Sequence, residues 1–310
     1  MPKAYAYTRH GGPAVERFAE VRRPVPGRGE LLIAVRAAGV NPVDWKRREG
    51  HRPPGAPFPE LPAVFGGEAA GVVEAVGQDV EGFAVGDAVF GNTVAGGYAE
   101  YALLPASVAA HKPQQVSWTD AATLAIAAAT AYDGVLQLAL PPGSTLLVTG
   151  AGGGVGAAAV QIAVHLGLRV LGTASAGKRE FVESLGAVHV ASGPGEAERL
   201  RTAAPQGVDG VYDLVGGAAL EQAAQLLADR SKLISGGDRE TVGRLGGAPV
   251  ARERNSRVLD AVARLAADGV LKPSVTAVFP LDQADAALRN VEEGHALGKT
   301  VIEVVPRQEA

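Results

Sequence analysis

The chain has 310 residues, 47% of them hydrophobic and 20% charged, with a formal net charge of −4 and no cysteine. Such a chain is long enough for two core-building domains, which excludes an intrinsically disordered protein, and the missing thiols exclude disulfides, thiolate catalysis and metal sites built on sulfur. A weakly acidic balance without a run of Lys and Arg argues against nucleic acid as a partner. The lack of a signal-like opening or a long apolar stretch predicts no membrane span and a soluble, cytoplasmic protein.

From Met1 to about Val116 the texture is of short strands and turns, with β-branched, apolar runs at Leu31 to Val35 and Gly71 to Val76. Pro53, Pro54, Pro57, Pro59 and Pro62 make Gly50 to Val64 an extended, non-helical loop. At Ser117 the texture changes. Ser117 ahead of Asp120 opens an Ala-rich helix running to about Leu140, stopped by Pro141, Pro142 and Gly143. Strands and helices then alternate: strand Leu146 to Thr149, helix Val155 to Leu166, strand Arg169 to Thr173, helix Lys178 to Leu185. Strand Val211 to Val215, helix Leu220 to Ala228 and strand Lys232 to Ser235 come next. That alternation predicts an α/β domain with a doubly wound parallel sheet. From about Lys272 the texture returns to strands, at Val275 to Phe279 and Thr300 to Val305, around a helix near Gln283 to Glu293. We therefore expect one domain of residues 1–118 plus 272–310, with a second, 119–271, inserted in it.

The sharpest local signal is Ala151-Gly152-Gly153-Gly154-Val155-Gly156, directly after a strand and at the start of a helix. A dinucleotide turn needs a tight bend, a residue without a side chain beside the pyrophosphate, and a small residue where helix meets strand. Gly153 suits the approach and Gly156 the packing, while the helix start offers free amide groups to phosphate. The plainer reading is a glycine-rich connection and nothing more. The end of the second strand separates the cofactors. It reads Gly172-Thr173-Ala174-Ser175-Ala176-Gly177-Lys178-Arg179, with no acid before Glu180. A carboxylate there would serve the ribose of NADH, whereas Ser175, Lys178 and Arg179 suit a 2′-phosphate. This favours NADPH. The alternative for Lys178 and Arg179 is the solvated first turn of a helix.

Three further strings carry a family resemblance: Gly39-Val40-Asn41-Pro42-Val43-Asp44, Gly66-Gly67-Glu68-Ala69-Ala70-Gly71, and Gly294-His295-Ala296-Leu297-Gly298-Lys299. With the nucleotide turn between them, the chain resembles the medium-chain dehydrogenase/reductases over essentially its whole length, and specifically the zinc-free quinone oxidoreductases. The resemblance implies a GroES-like β-rich catalytic domain with a Rossmann domain inserted. It also implies ligand positions for a catalytic zinc at Asn41, Gly67 and near Ile126, and none of these three is a zinc ligand. No metal is therefore expected.

Without a Lewis acid, hydride transfer needs an acceptor that delocalises the charge it receives, which points to a quinone or enone. The resemblance places Asn41 near the nicotinamide, where its amide would bond a substrate carbonyl or the ribose; a plain Asn-Pro turn is the alternative. Asp44 either orients neighbouring groups or caps the following helix. Thr130 matches a family threonine near the cofactor, or is a buried helix threonine bonded to its own backbone. Val215-Gly216 and Ser235-Gly236 come directly after predicted strands, where open sheets bind ligands. Lys46 and Arg52 stand where relatives often carry tyrosines, and attract an anionic or carbonyl-bearing substrate or are simply solvated. Lys299 belongs to the closing signature, with a purely structural role as one reading. The resemblance further implies a homodimer formed through the edge of the Rossmann sheet, with Lys232 to Ser235 and the residues just after it as the candidate region. Two other functions remain open: reduction of a carbon–carbon double bond in an enoyl or 2-alkenal substrate, and NADPH binding without catalysis.

Overall fold

The computed structural model describes residues 1–52, 59–94, 96–294 and 296–305. Part of the Pro-rich stretch expected as an extended loop, with Pro53, Pro54 and Pro57, lies outside the described residues, as does His295 of the closing signature. The chain divides into two compact units. One comprises Met1–Ile126, Arg254–Ala267 and Val275–Ala310; the other, Ala127–Glu253 and Asp268–Ser274.

The chain opens with an antiparallel pair, β1 (Lys3–Tyr7) and β2 (Glu16–Glu20). Next comes β3 (Glu30–Val40), whose residues are nearly all buried because other strands flank it on both sides. Helix α1 (Pro42–Arg48) begins almost at once, opened by a proline whose missing N–H costs nothing in a first turn. The first unit continues through β4 (Ala63–Val64), β5 (Glu68–Val76), β6 (Ala88–Asn92), β7 (Tyr101–Pro105) and β8 (Ala109–His111). Two register shifts bend β3, so that one half pairs with β7 and the other continues toward the C-terminal strands.

The Ala-rich segment is not one helix. Ser117 caps α2 (Trp118–Ala121), its hydroxyl accepting from the Asp120 amide at 3.0 Å. A π-turn then spans Leu124–Ala128, and α3 (Ala129–Leu138) ends at Ala139 in the left-handed region. The wide turn has a cause. The Ile126 amide donates to Glu68 Oε2 at 2.7 Å, so it is withdrawn from the helical ladder.

The second unit is the parallel α/β block. It runs β9 (Thr145–Thr149), α4 (Gly154–His165), β10 (Arg169–Ala174), α5 (Arg179–Ser184), β11 (Val188–Ala191), α6 (Glu196–Ala203), β12 (Gly210–Asp213), α7 (Gly217–Ala224), β13 (Leu233–Ser235), α8 (Arg239–Arg244) and β14 (Ala248–Pro249). The sheet order is β11-β10-β9-β12-β13-β14, every pair parallel, so connections run one way from β9 and the other way from β12. That reversal places a crevice at the carboxyl ends of β9 and β12. Strand β13 is interior; the edge on that side is β14, which comes after the stretch Lys232 to Ser235 singled out for dimer contact.

The chain then adds α9 (Ser256–Ala267), β15 (Val275–Pro280), α10 (Ala284–Glu292) and β16 (Lys299–Glu303). Strand β16 lies between β15 and β3, completing the large sheet of the first unit in the order β15-β16-β3-β5-β6-β8. Residues 119–126 and 254–267, assigned by texture to the inserted block, group with the first unit instead. Among the described residues no helix is long and apolar enough to cross a membrane.

Candidate functional site

In the second unit the site is built from backbone. Gly150, directly after β9, has φ +69°, which favours glycine, and the Ala151 amide bonds the Thr173 carbonyl at 2.9 Å to tie the turn to β10. Gly153 is the N-cap of α4 in extended conformation, with no side-chain cap on the helix amides beyond it. A Cβ built at Gly153 would meet only the Gly150 carbonyl, at 3.5 Å. A Cβ at Gly156 would run into that carbonyl and lie 2.7 Å from the Ala151 Cα, so Gly156 sets how closely α4 approaches β9. Gly154 and Val155 begin the helix, their amides at its positive end.

The Lys178 side chain lies along this turn: a Cβ at Gly152 would be 2.6 Å from its Cδ. Burial pushes the Lys178 ammonium below the ordinary lysine range, as expected of a cation that would gain from an incoming anion. Ser175 is exposed just after β10, and its carbonyl accepts from the Lys178 amide at 2.9 Å. Arg179, also exposed, pairs with Glu183 at 2.9 Å one helical turn on. Arg179 also lines a groove of about 490 Å³ with His189 and Arg199, neither of which sequence reasoning had found. The Arg199 guanidinium wraps the turn after β11, donating to the carbonyls of Ala191 at 2.8 Å and Pro194 at 2.9 Å.

At the crevice a fully buried carboxylate organises two loops. Asp213 accepts from the hydroxyls of Thr149 and Ser235, each at 2.6 Å, and from the amides of Val215 and Gly216 at 3.2 and 3.0 Å. The Ser235 hydroxyl in turn accepts from the amides of Gly237 and Asp238. The Ser235 side chain is therefore used inside the unit, which leaves the backbone of Ser235-Gly236 as the part expected to approach a ligand. Val215 is exposed and Gly216 has φ +86°. Around Gly236 a Cβ would come no closer than 3.2 Å to Leu214. Thr130 is held by two contacts: its hydroxyl accepts from Arg252, which also pairs with Asp133 at 2.9 Å, and its carbonyl accepts from the Tyr212 hydroxyl at 2.9 Å.

In the first unit the site is built from side chains. Asn41, buried at the corner between β3 and α1, donates through Nδ2 to Glu68 Oε1 at 2.8 Å and accepts at Oδ1 from Lys299 Nζ at 2.7 Å. Lys299 also donates to Glu68 at 3.1 Å and to the Val40 carbonyl at 3.1 Å. Three oxygens thus surround a three-proton ammonium, and both ends of the Asn41 amide are engaged. Within the chain that amide therefore acts as a strut between Glu68 and Lys299. The sequence reading gave Lys299 a structural role as one alternative and Glu68 none, and it did not pair them, because 231 residues separate the two.

Asp44 is held by two hydrogen bonds. Its Oδ2 accepts from the Asn41 amide at 2.9 Å, capping α1, and from the Tyr98 hydroxyl at 2.9 Å. Burial pushes its pKa from 3.8 to about 6, opposed by these hydrogen bonds and by Arg47. Helix α1 is fixed by Arg48, which is fully buried and bonded to Glu16 at 2.5 Å and Glu292 at 2.7 Å. Asp44 lies on the wall of a cavity of about 740 Å³ that belongs wholly to the first unit and has Tyr7, Phe65, Arg47 and Arg52 in its lining. Lys46 is not among the lining; its ammonium sits over the Trp45 ring, 5.5 Å from the centroid.

The structure brings Asn41, Gly67 and Ile126 together around Glu68, with Gly67 so close that a Cβ there would be 3.1 Å from Ile126 Cδ1. An amide already bonded at both ends, a missing side chain and an alkyl group make no zinc site. Among the described residues no group of three or more His, Cys, Asp or Glu is arranged to hold a metal ion.

Comparison with known proteins agrees with this geometry. Residues 27–114 match the alcohol dehydrogenase GroES-like domain and residues 185–302 the zinc-binding dehydrogenase family, whose zinc the donor set here does not fit. The chain is 31% identical to the quinone oxidoreductase of Homo sapiens, over 94% of each chain. It is 32% identical to a 2-methylene-furan-3-one reductase of Solanum lycopersicum, over 98% of this chain and 79% of the relative. A mycobacterial protein solved in complex with NADPH superposes with a TM-score of 0.86 at 31% identity, over 98% of this chain and all of the other.

Proposed function

The chain belongs to the medium-chain dehydrogenase/reductases and, within them, to the quinone oxidoreductases, and we propose that it moves hydride from NADPH to a quinone or other activated carbonyl acceptor. One observation carries this reading: an uncapped helix start behind Gly153, where a Cβ would meet only the Gly150 carbonyl, and a lysine laid along the same turn. The residues fit the cofactor. Amides of Gly154 and Val155, reached across Gly152 and Gly153, would hold the pyrophosphate, and Ser175, Lys178 and Arg179 the 2′-phosphate. Thr130 and the backbone at Val215, Gly216 and Gly236 would border the ribose and nicotinamide, with Ser235 shaping the loop from within. When bound, NADPH supplies the hydride, and the acceptor's own conjugation takes the place of a Lewis acid.

In the first unit Asn41 acts as a positioning residue. Locked by Lys299 and Glu68, it fixes the corner from which α1 starts, and so places Asp44 on the cavity wall. A carboxyl group raised to about 6 keeps its proton closer to neutral pH than an ordinary aspartate would. That property and the 2-methylene-furan-3-one reductase relative favour a second reading, reduction of the double bond of an enone, which needs a proton on the carbon next to the carbonyl. A cytoplasmic protein, dimerising through the β14 edge, completes the proposal.

The test is a steady-state acceptor screen run with NADPH and with NADH. Lys178→Ala should raise the KM for NADPH by about tenfold to a hundredfold, the effect of losing a charge-assisted hydrogen bond, and leave that for NADH nearly unchanged. Equal changes for both cofactors would remove the phosphate pocket from the account.

A further inference from the structure

The cavity of the first unit departs from the charge of the chain around it. The whole protein carries −4, yet Arg47, Arg52 and Arg254 all line this one cavity, against the carboxylates Asp44 and Glu60. These arginines come from three places: α1, the stretch after it, and the residue two before α9. Asp44 is turned inward, both of its hydrogen bonds falling on Oδ2, and the Arg47 charge reaches it. Part of the lining is aromatic, with Tyr7 and Phe65 buried and their rings tilted against each other at 4.9 Å between centroids. The cavity thus combines aromatic lining with three cationic side chains.

We propose that this cavity selects an acceptor carrying a carboxylate, with its conjugated body against Tyr7 and Phe65 and its negative group on Arg47, Arg52 and Arg254. Guanidinium groups suit that task, since their planar fork matches a carboxylate in two parallel hydrogen bonds. A cavity of about 740 Å³ has the size of a small-molecule site. Turnover of such an acceptor rests on the reductase reading; its binding does not.

The experiment uses 4-oxo-2-pentenoate and its methyl ester, which present the same enone with and without charge. Neither can be diverted by thiol addition, because the chain has no cysteine. The ester is the more electron-poor enone, so any preference for the acid comes from binding. The wild-type protein should show kcat/KM at least tenfold higher for the acid. Arg47→Gln should bring that ratio below about threefold by raising the KM for the acid, while Arg47→Lys, which keeps the charge but not the planar fork, should fall between the two. A wild-type ratio near one, or a ratio untouched by Arg47→Gln, overturns the proposal. If neither compound is reduced, calorimetric titration decides: acid binding that weakens tenfold in Arg47→Gln supports the anion site, and equal affinities for acid and ester refute it. Reduction of a simple quinone, measured beside these, reports separately on the reductase reading.

Discussion

Asp213 in the second unit and Glu68 in the first are both fully buried carboxylates, and they are satisfied in different ways. Asp213 accepts from Thr149, Ser235 and the amides of Val215 and Gly216, all at the ends of adjacent parallel strands. The network stiffens two loops and leaves the neighbouring helix start at Gly153 without a side-chain cap. Glu68 accepts instead from the Asn41 amide, the Ile126 backbone and the Lys299 ammonium, closing a knot at the three positions, Asn41, Gly67 and Ile126, that the family resemblance implies for zinc ligands. In one unit, then, buried polarity supports a backbone surface that is left for a ligand; in the other it fills the ligand positions themselves.

The largest effect expected from breaking this contrast is in the first unit. Lys299→Met leaves Glu68 buried without its cation and should cost about 3–5 kcal/mol, the range for a broken buried ion pair. Trp45 and Trp118, the two tryptophans of the chain, both belong to the first unit, so their fluorescence tracks its unfolding by urea. Lys299→Met combined with Glu68→Gln should cost less than the sum of the single changes, because no unpaired charge remains. Strict additivity would show that the pair is not coupled.

Asp44 gives the next effect, and its sign is opposite to that of a salt-bridged acid. Its folded pKa, about 6, lies above its ordinary value of 3.8, so the folded state binds the proton more tightly. The stabilisation is therefore complete below about pH 4 and is lost as pH rises to about 6, to an extent of roughly 3 kcal/mol. Asp44→Asn keeps an acceptor for the Asn41 amide and for Tyr98 but cannot titrate. The stability of the wild type relative to this variant should fall between pH 4 and 6 and then level off. Parallel curves would mean that burial does not govern this group.

How much of this was legible in the sequence divides along the same line. The nucleotide turn was readable because its parts are contiguous: a strand, Gly152 to Gly156 and a helix within about twenty residues. The Ser117 cap was readable for the same reason. The Lys299–Glu68–Asn41 knot was not, since it joins β16, β5 and the corner after β3, and only tertiary structure brings these together. The π-turn at Leu124–Ala128 was hidden likewise, because the group that withdraws the Ile126 amide lies 58 residues earlier. Strand β11 is short and only partly buried, leaving little pattern to read. Helix α9 is a different case: Val258, Leu259, Val262 and Ala263 keep helical spacing and mark its buried face. That signal was present and passed over.

Within the second unit, two glycines three residues apart should respond differently to the same methyl group. Gly156→Ala puts a Cβ against the Gly150 carbonyl, forces α4 away from β9, and should cost about 1–3 kcal/mol as overpacking does. Gly153→Ala meets no such obstacle, at φ −93° with 3.5 Å to its nearest neighbour, so stability should be nearly unchanged. Its NADPH affinity should nonetheless fall about tenfold, or ~1.4 kcal/mol, because the methyl group stands where the pyrophosphate is to approach. Cofactor titration alongside thermal unfolding separates the two outcomes. Unchanged NADPH affinity in a folded Gly153→Ala variant would move the phosphate site elsewhere.

The smallest effect concerns Arg179, whose two candidate partners compete. Its ion pair with Glu183 is solvent-exposed on both sides, and such pairs contribute roughly 0–1 kcal/mol. Glu183→Gln should therefore alter unfolding by less than about 0.5 kcal/mol, while releasing Arg179 toward a 2′-phosphate and removing a nearby negative charge. The preference for NADPH over NADH should rise about twofold at low salt and return toward the wild-type value at high salt, where exposed charges are screened. Arg179→Ala should lower that preference by a smaller factor than Lys178→Ala does, because Lys178 lies along the glycine turn and Arg179 reaches out from the helix surface. A larger loss in Arg179→Ala would exchange the two assignments and make the surface arginine the principal phosphate ligand.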